Sequence, residues 1–246
     1  MRGDKVSGVF LASFRAGPWQ TNCYLVAPER GSDVVVVDPG VQAFEPIVEA
    51  TDAEGVGVAG VLLTHGHIDH VACAADVADH WGVPAWLHVS DRELLSDAGP
   101  GLPSSLELAQ QLGVRLREPK RLRLLAEGET LSVGGLTFDV IAAPGHRPGC
   151  VMFSTPYDGD VDAEGDAQGE PTASHLLFSG DVLFAGSIGR TDLPGGNPAA
   201  MARTLRDVVL ALPDDWVVLS GHGPETTIGD ERATNPFLQD RFLRTL

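Results

Sequence analysis

Four side chains able to bind a divalent cation fall between positions 65 and 70, in the run Thr64-His65-Gly66-His67-Ile68-Asp69-His70. Imidazole nitrogen and carboxylate oxygen are the ligand set of zinc, and also of ferrous and manganous ions. Two histidines separated by one residue on a loop can reach a single ion. Asp69 and His70 begin the following helix and point to a position beside it. Three further candidates stand alone: His146 in Gly145-His146-Arg147-Pro148-Gly149, Asp181 in Ser179-Gly180-Asp181, and His222 after Gly221. Seven such groups suffice for two ions. Two divalent ions that share a carboxylate and a water lower the pKa of that water, which makes hydroxide available at neutral pH and predicts hydrolysis. His80, His88 and His175 lack a comparable setting and read as structural. No Ser-His-Asp triad or pair of glutamates offers a competing chemistry.

The elements that must position these groups are legible as short apolar runs ended by turn residues. Strands are predicted at Val9–Phe14, Cys23–Ala27, Val34–Val37, Val58–Leu63, Ala85–His88, Leu136–Ala142, Val151–Ser154, Leu176–Ser179 and Trp216–Ser220. Helical periodicity predicts helices over Phe44–Ala53, Val71–Trp81, Ser104–Leu112 and Pro198–Leu212, the last with Asn197 as N-cap and Pro198 at the first position. A short helix is also expected within Asp230–Leu246. Four of the predicted strands run through small residues straight into His65, His146, Asp181 or His222. Strand ends of that kind converge on one edge, where open sheets keep their sites.

The bulk properties narrow the partners. The chain has 246 residues, 43% of them hydrophobic, with no linker between two cores and no repeat, so a single α/β domain over 1–246 is expected. Its formal net charge of −17 argues against nucleic acid or an acidic membrane surface as partner, since both demand basic patches. Part of the excess is local: Asp158, Asp160, Asp162, Glu164, Asp166 and Glu170 mark an acidic loop insertion at about 156–173, whose spacing does not match an EF-hand. Cys23, Cys73 and Cys150 are odd in number and widely spaced, which predicts reduced thiols. The stretch from Met1 to Phe14 lacks a clear apolar core and cleavage site, and a cytoplasmic location is expected. Nothing here bears on oligomeric state.

Taken in order, Thr-His-x-His-x-Asp-His, Gly-His-x-Pro-Gly, Ser-Gly-Asp and Gly-His resemble the signature of the metallo-β-lactamase fold superfamily, over nearly the whole chain. Asn22-Cys23-Tyr24-Leu25-Val26 and Asp38-Pro39-Gly40 resemble its N-terminal strands. Gly186-Ser187-Ile188-Gly189-Arg190-Thr191-Asp192 and Gly221-His222-Gly223-Pro224-Glu225-Thr226-Thr227 are most similar to bacterial glyoxalase II-type (hydroxyacylglutathione hydrolase-like) enzymes. The resemblance implies a four-layer αββα sandwich with its site along one edge. It implies that His65, His67 and His146 hold one ion, that Asp69, His70 and His222 hold a second, and that Asp181 bridges them. Zinc is the first expectation for both ions, with iron or manganese as alternatives.

The implied reaction is hydrolysis of a small acyl-thiol such as S-D-lactoylglutathione. Asp69 would orient the nucleophile and help carry its proton, and Asp38 would brace a ligand histidine. A thiolate leaves as a weak base, so no dedicated general acid is required. Arg147 either contacts an anionic substrate group or points to solvent. Arg190 is a candidate anion contact or an ion-pair partner of Asp192. The 24 residues after His222 hold no counterpart of the helical domain that contacts glutathione in the best-known glyoxalase II, which leaves the thiol open. Two other readings stand beside this one. One is a mononuclear iron persulfide dioxygenase, whose Gly-Arg-Thr-Asp segment is similar; the other is an inactive metal-stabilised binding or regulatory module.

Overall fold

Val34–Val37 is four consecutive valines, all buried, as expected of a strand covered on both faces. In the computed structural model, which describes residues 9–96, 110–111, 113–126, 128–157 and 173–243, this run is β3 in a six-stranded sheet. The sheet runs β1 (Phe10–Ala16), β2 (Thr21–Ala27), β3, β4 (Val58–Leu62), β5 (Ala85–His88), β6 (Leu122–Leu125). The first three strands are antiparallel and the last four parallel. A second six-stranded sheet has the order β14 (Thr226–Thr227), β13 (Val217–Ser220), β10 (His175–Gly180), β9 (Val151–Pro156), β8 (Leu136–Ala142), β7 (Thr130–Val133). A short hairpin, β11 (Leu183–Phe184) and β12 (Ser187–Ile188), follows β10.

Three apolar layers hold these parts together. Between the sheets, Tyr24, Val26, Val35, Val37 and Leu62 from the first meet Phe138, Val140, Phe153, Phe178 and Leu219 from the second. On the outer face of the first sheet, α1 (Phe44–Glu54) and α3 (Ala74–Trp81) bury Ile47, Val77 and Ala78 against Leu25, Val36 and Leu87. On the outer face of the second, Met201 of α4 (Pro198–Arg203), Leu205, Val209 and Ile228 of α5 (Ile228–Thr234) pack on Met152, Leu177 and Val218. This is the expected αββα sandwich. The Asn197 side chain accepts the Ala200 N–H at 2.9 Å, with Pro198 in the first turn, so the predicted cap forms.

Some elements differ from the sequence-based expectation. The predicted helix over Val71–Trp81 divides into α2 (Ile68–Val71) and α3, separated at Ala72 and Cys73. The Pro198–Leu212 helix widens into a π turn at Thr204–Val208 and tightens to a 3-10 turn at Val209–Ala211. The C-terminal stretch contains α5 and a second short helix, α6 (Asp240–Leu243). Strands β6 and β7 were not predicted. They lie at sheet edges with half or more of their residues outside the core, and Arg123 breaks the apolar alternation of β6. Most of the helix expected at Ser104–Leu112 and of the acidic loop expected at 156–173 lies outside the described residues. No helix among the described residues is long and apolar enough to cross a membrane.

Candidate metal centre

β3 and β4 end at one edge of the first sheet, and β8, β10 and β13, which run in a common direction, end beside them. Asp38 leaves β3, His65 follows β4, His146 follows β8, Asp181 follows β10 and His222 follows β13. The loop after β4 carries His67 and enters α2, which carries Asp69 and His70. All seven predicted ligands are thereby brought together. His65, His67 and His146 form one group whose ligand atoms lie within 4.8 Å of one another, and Asp69, His70 and His222 form another. The Nδ1 of His67 stands 3.1 Å from His65 Nε2 and 2.8 Å from His146 Nε2. Asp181 lies between the groups. Its Oδ2 is 3.6 Å from His146 Nε2, while its Oδ1 is 3.3 Å from His70 Nε2 and 3.6 Å from His222 Nε2.

The outer ring nitrogens are held so that the inner ones point at the centre. His146 Nδ1 lies 2.7 Å from the Arg190 carbonyl, which can only accept, so Nδ1 carries the proton and Nε2 keeps its lone pair. His70 Nδ1 donates in the same way to Asp38 Oδ2 at 2.8 Å. The Thr64 hydroxyl donates to Asp38 Oδ2 at 2.6 Å and is 3.1 Å from His65 Nδ1, which therefore donates to it. The Thr64 N–H is bound by Asp38 Oδ1 at 2.8 Å. One carboxylate thus orients two histidines, one directly and one through a threonine. Asp38 itself is held at φ +51°, a left-handed conformation that costs a non-glycine residue about 1 kcal/mol or more. Replacing it by asparagine, which tolerates that φ but cannot accept all three hydrogen bonds, should weaken metal binding by about 10- to 100-fold. Competition against a chelator of known affinity would measure this, and unchanged affinity would dismiss the brace.

The electrostatics of the cluster suit a divalent cation. Burial, with His146 adding to it, lowers the His67 imidazole to about 3, and burial with like-charged neighbours also pushes His65 well below the ordinary value. Both are neutral and ready to coordinate. Burial also opposes the imidazolium of His70, yet Asp69, Asp181 and Asp38 outweigh it and carry that group well above its usual value. His222 is raised despite burial by its bond to Asp69. For Asp69 and Asp181 burial favours protonation, but the charge on His70 prevails and holds both carboxyls low. His70 Nε2 and Asp181 Oδ1 are buried without a hydrogen-bond partner, an omission that costs roughly 1–3 kcal/mol per group unless something else satisfies them. A divalent ion would do so.

The remaining predicted residues are placed differently. Arg147 is only 4% exposed; its guanidinium reaches the Pro194 carbonyl and stands 3.4 Å from Asp91 Oδ1. It neither faces solvent nor is free for a substrate anion, because a buried carboxylate engages it. Arg190 turns its side chain outward in a two-bond pair with Asp192, and only its carbonyl touches the centre. Other contributors were not visible in the sequence. The buried Thr21 hydroxyl donates to Asp69 Oδ2 at 3.1 Å. The Asn22 amide holds the carbonyls of Ser220 and Gly223, and the Tyr24 hydroxyl also reaches Ser220, so β2 fixes the loop carrying His222. Residue spacing could not reveal contacts made across about 200 positions. Phe184 of β11 sets its ring 6.0 Å from that of His222 in an edge-on contact. The three cysteines are free and buried, and burial raises each thiol above its ordinary range.

Comparison with known proteins agrees with this geometry. The family description "Metallo-beta-lactamase superfamily" matches residues 16–161 and 163–222. The chain is 39% identical over 233 residues to an uncharacterised protein of Mycobacterium tuberculosis, covering 94% of this chain and 98% of that one. It is 33% identical over 226 residues to the hydroxyacylglutathione hydrolase GloC of Haemophilus influenzae, covering 91% and 95%. Among solved structures, the fold is similar to the BLEG-1 B3 metallo-β-lactamase, with a TM-score of 0.75, 35% identity and coverage of 94% and 100%. It is similar also to TTHA1623 in a di-iron-bound form, with a TM-score of 0.68, 37% identity and coverage of 93% and 100%.

Proposed function

Since this chain belongs to the metallo-β-lactamase superfamily and is a metal-dependent hydrolase, we propose that its substrate is a small acyl-thiol and that it cleaves the thioester as a glyoxalase II does. The observation that carries the two-ion form of this reading is Asp181, which turns one carboxylate oxygen to each histidine group. His65, His67 and His146 would hold one divalent ion and Asp69, His70 and His222 the other. Such ions, when bound, polarise a carbonyl and acidify a water. The donor set suits zinc and equally iron or manganese, and the di-iron form of the similar TTHA1623 makes iron a live choice.

The rest of the chemistry belongs to the chain's own residues. His67, Asp69 and His222 are only partly buried, whereas His65, His70 and His146 are enclosed, so substrate approaches from the side of the first three. Asp69 lies on that open side, with its Oδ2 tied to Thr21 and His222. From there it would orient the attacking water and help carry its proton away. Phe184 offers the acyl-thiol an apolar surface next to His222. A thiolate is a weak enough base, its conjugate acid having a pKa of about 8.5, to depart unprotonated, so the site has no need of a proton donor.

Protein stripped with a chelator and reloaded with zinc, iron or manganese should bind two ions per chain. Thiol release from S-D-lactoylglutathione, or from acyl esters of other low-molecular-weight thiols, should appear only after reloading. The Gly189-Arg190-Thr191-Asp192 segment favours a second reading, an iron persulfide dioxygenase that needs only one ion. One iron per chain together with sulfite formation from a persulfide would establish that reading in place of hydrolysis. Failure to release thiol from any acyl-thiol with two ions bound would reject the substrate class.

A further inference from the structure

Asp91 is fully buried, yet it lies on none of the segments that carry a candidate ligand. It sits in a 3-10 turn, Val89–Leu95, directly after β5. Its Oδ2 accepts the N–H of Gly66 at 2.9 Å, and Gly66 is the residue between His65 and His67. Its Oδ1 accepts the N–H of Gly149 at 3.1 Å, three residues after His146, and faces Arg147 Nη2 at 3.4 Å. One carboxylate therefore joins the two loops that supply the three-histidine group.

The two glycines are shaped to this carboxylate. A Cβ on Gly66 would stand 3.0 Å from both Asp91 Cβ and the Asp91 carbonyl oxygen, and one on Gly149 would stand 2.6 Å from Asp91 Cγ. Both loops give up a side chain so that Asp91 can approach their backbones. Arg147 supplies the compensating charge: its guanidinium is buried and anchored on the Pro194 carbonyl, which spares Asp91 the cost of an unpaired buried charge. The second group, Asp69, His70 and His222, has other supports in Thr21, Asn22 and Asp38.

We propose that Asp91, compensated by Arg147, is a positioning residue for the half-site made by His65, His67 and His146, and that it sets the affinity of this half-site without setting that of the other. The inference rests on the two-ion reading above. Asp91 fixes the separation of two backbone segments, and the imidazoles on either side of Gly66 and before Gly149 follow that separation. Partners bonded directly to ligand side chains contribute about 10- to 100-fold to metal affinity, and that range sets the scale expected for this bracket.

Zinc titration against a competing chelator tests this, with one half-site disabled at a time. In a His222→Ala background, adding Asp91→Asn should weaken binding at the remaining half-site by about 10- to 100-fold. In a His67→Ala background the same addition should leave zinc affinity within about twofold. Asparagine cannot accept from both glycine N–H groups and the guanidinium, because one of its terminal atoms is a donor. If Asp91→Asn fails to fold beside an unpaired Arg147, the double variant Asp91→Asn, Arg147→Met removes both charges, and the same selective loss is expected. Equal weakening in both backgrounds would show a merely structural residue, and unchanged affinity in both would show none; either overturns the proposal. A parent protein that binds a single zinc overturns the two-ion reading instead.

Discussion

Asp181→Ala should bring the proposed thioester hydrolysis down by about a thousandfold or more while leaving the sandwich folded. The loss corresponds to about 4 kcal/mol, in the range of the several kcal/mol that bound ions supply to charge development in a transition state. Among the described residues, no other side chain offers one oxygen to each histidine group. With alanine, His70 Nε2 and His222 Nε2 lose a carboxylate neighbour at once, and His146 loses its only one within 4 Å among the described residues. Ions per chain should fall below two in the same protein. Steady-state thiol release and elemental analysis on a variant with an unchanged circular dichroism spectrum would measure both. Retention of a tenth of the activity with two ions bound would remove Asp181 from the role given to it here.

Phe178→Ala should produce a large loss of stability without touching a candidate ligand. Phe178 is fully buried between the sheets, with its ring 5.4 Å from Tyr24 in an edge-on contact and 6.4 Å from Phe138. Truncating a buried phenylalanine costs about 3–5 kcal/mol through lost transfer energy and the cavity left behind. For a chain of this length each kcal/mol lowers Tm by about 2–4 °C, so a decrease of roughly 6–20 °C is expected. Scans should use metal-stripped protein, because bound ions add stability that depends on their concentration. A decrease below 2 °C would mean that the gap collapses or that the inter-sheet core is less continuous than the contacts imply.

The sequence announces some of this architecture more clearly than the rest. Runs buried on both faces, such as Val34–Val37, need no context to be read as strands, and the chemical type of His65, His67, Asp69 and His70 at that spacing points to metal directly. The edge strand β6 escapes because Arg123 and the exposed Leu124 break the alternation that marks a strand, and β7 because its alternation, Thr130–Val133, lasts only four residues. Arg147 shows a second limit. Its place beside a ligand histidine suggests a substrate contact, but the direction a side chain takes depends on what the fold puts beneath it, here Asp91 from 56 residues earlier. Thr21 and Asp91 carry no local signature of any kind. Thr21 acts through its bond to Asp69 and Asp91 through bonds to two distant loops, and a hydroxyl or carboxylate becomes informative only after the groups it meets have been placed.

The division of the ligands between the sheets has a consequence for how the protein is made. His65, His67, Asp69 and His70 extend from the first sheet, while His146, Asp181 and His222 extend from the second, so neither group of three can be completed by one half of the chain. The inter-sheet layer around Phe178 must close first. Small zinc modules are nucleated by their ion and remain unfolded without it; this sandwich cannot be, since its ligands are up to 157 residues apart in sequence and meet only after docking. Loading is thus expected to follow docking of the sheets, since a chain whose sheets have not met would present neither complete group of three to an ion.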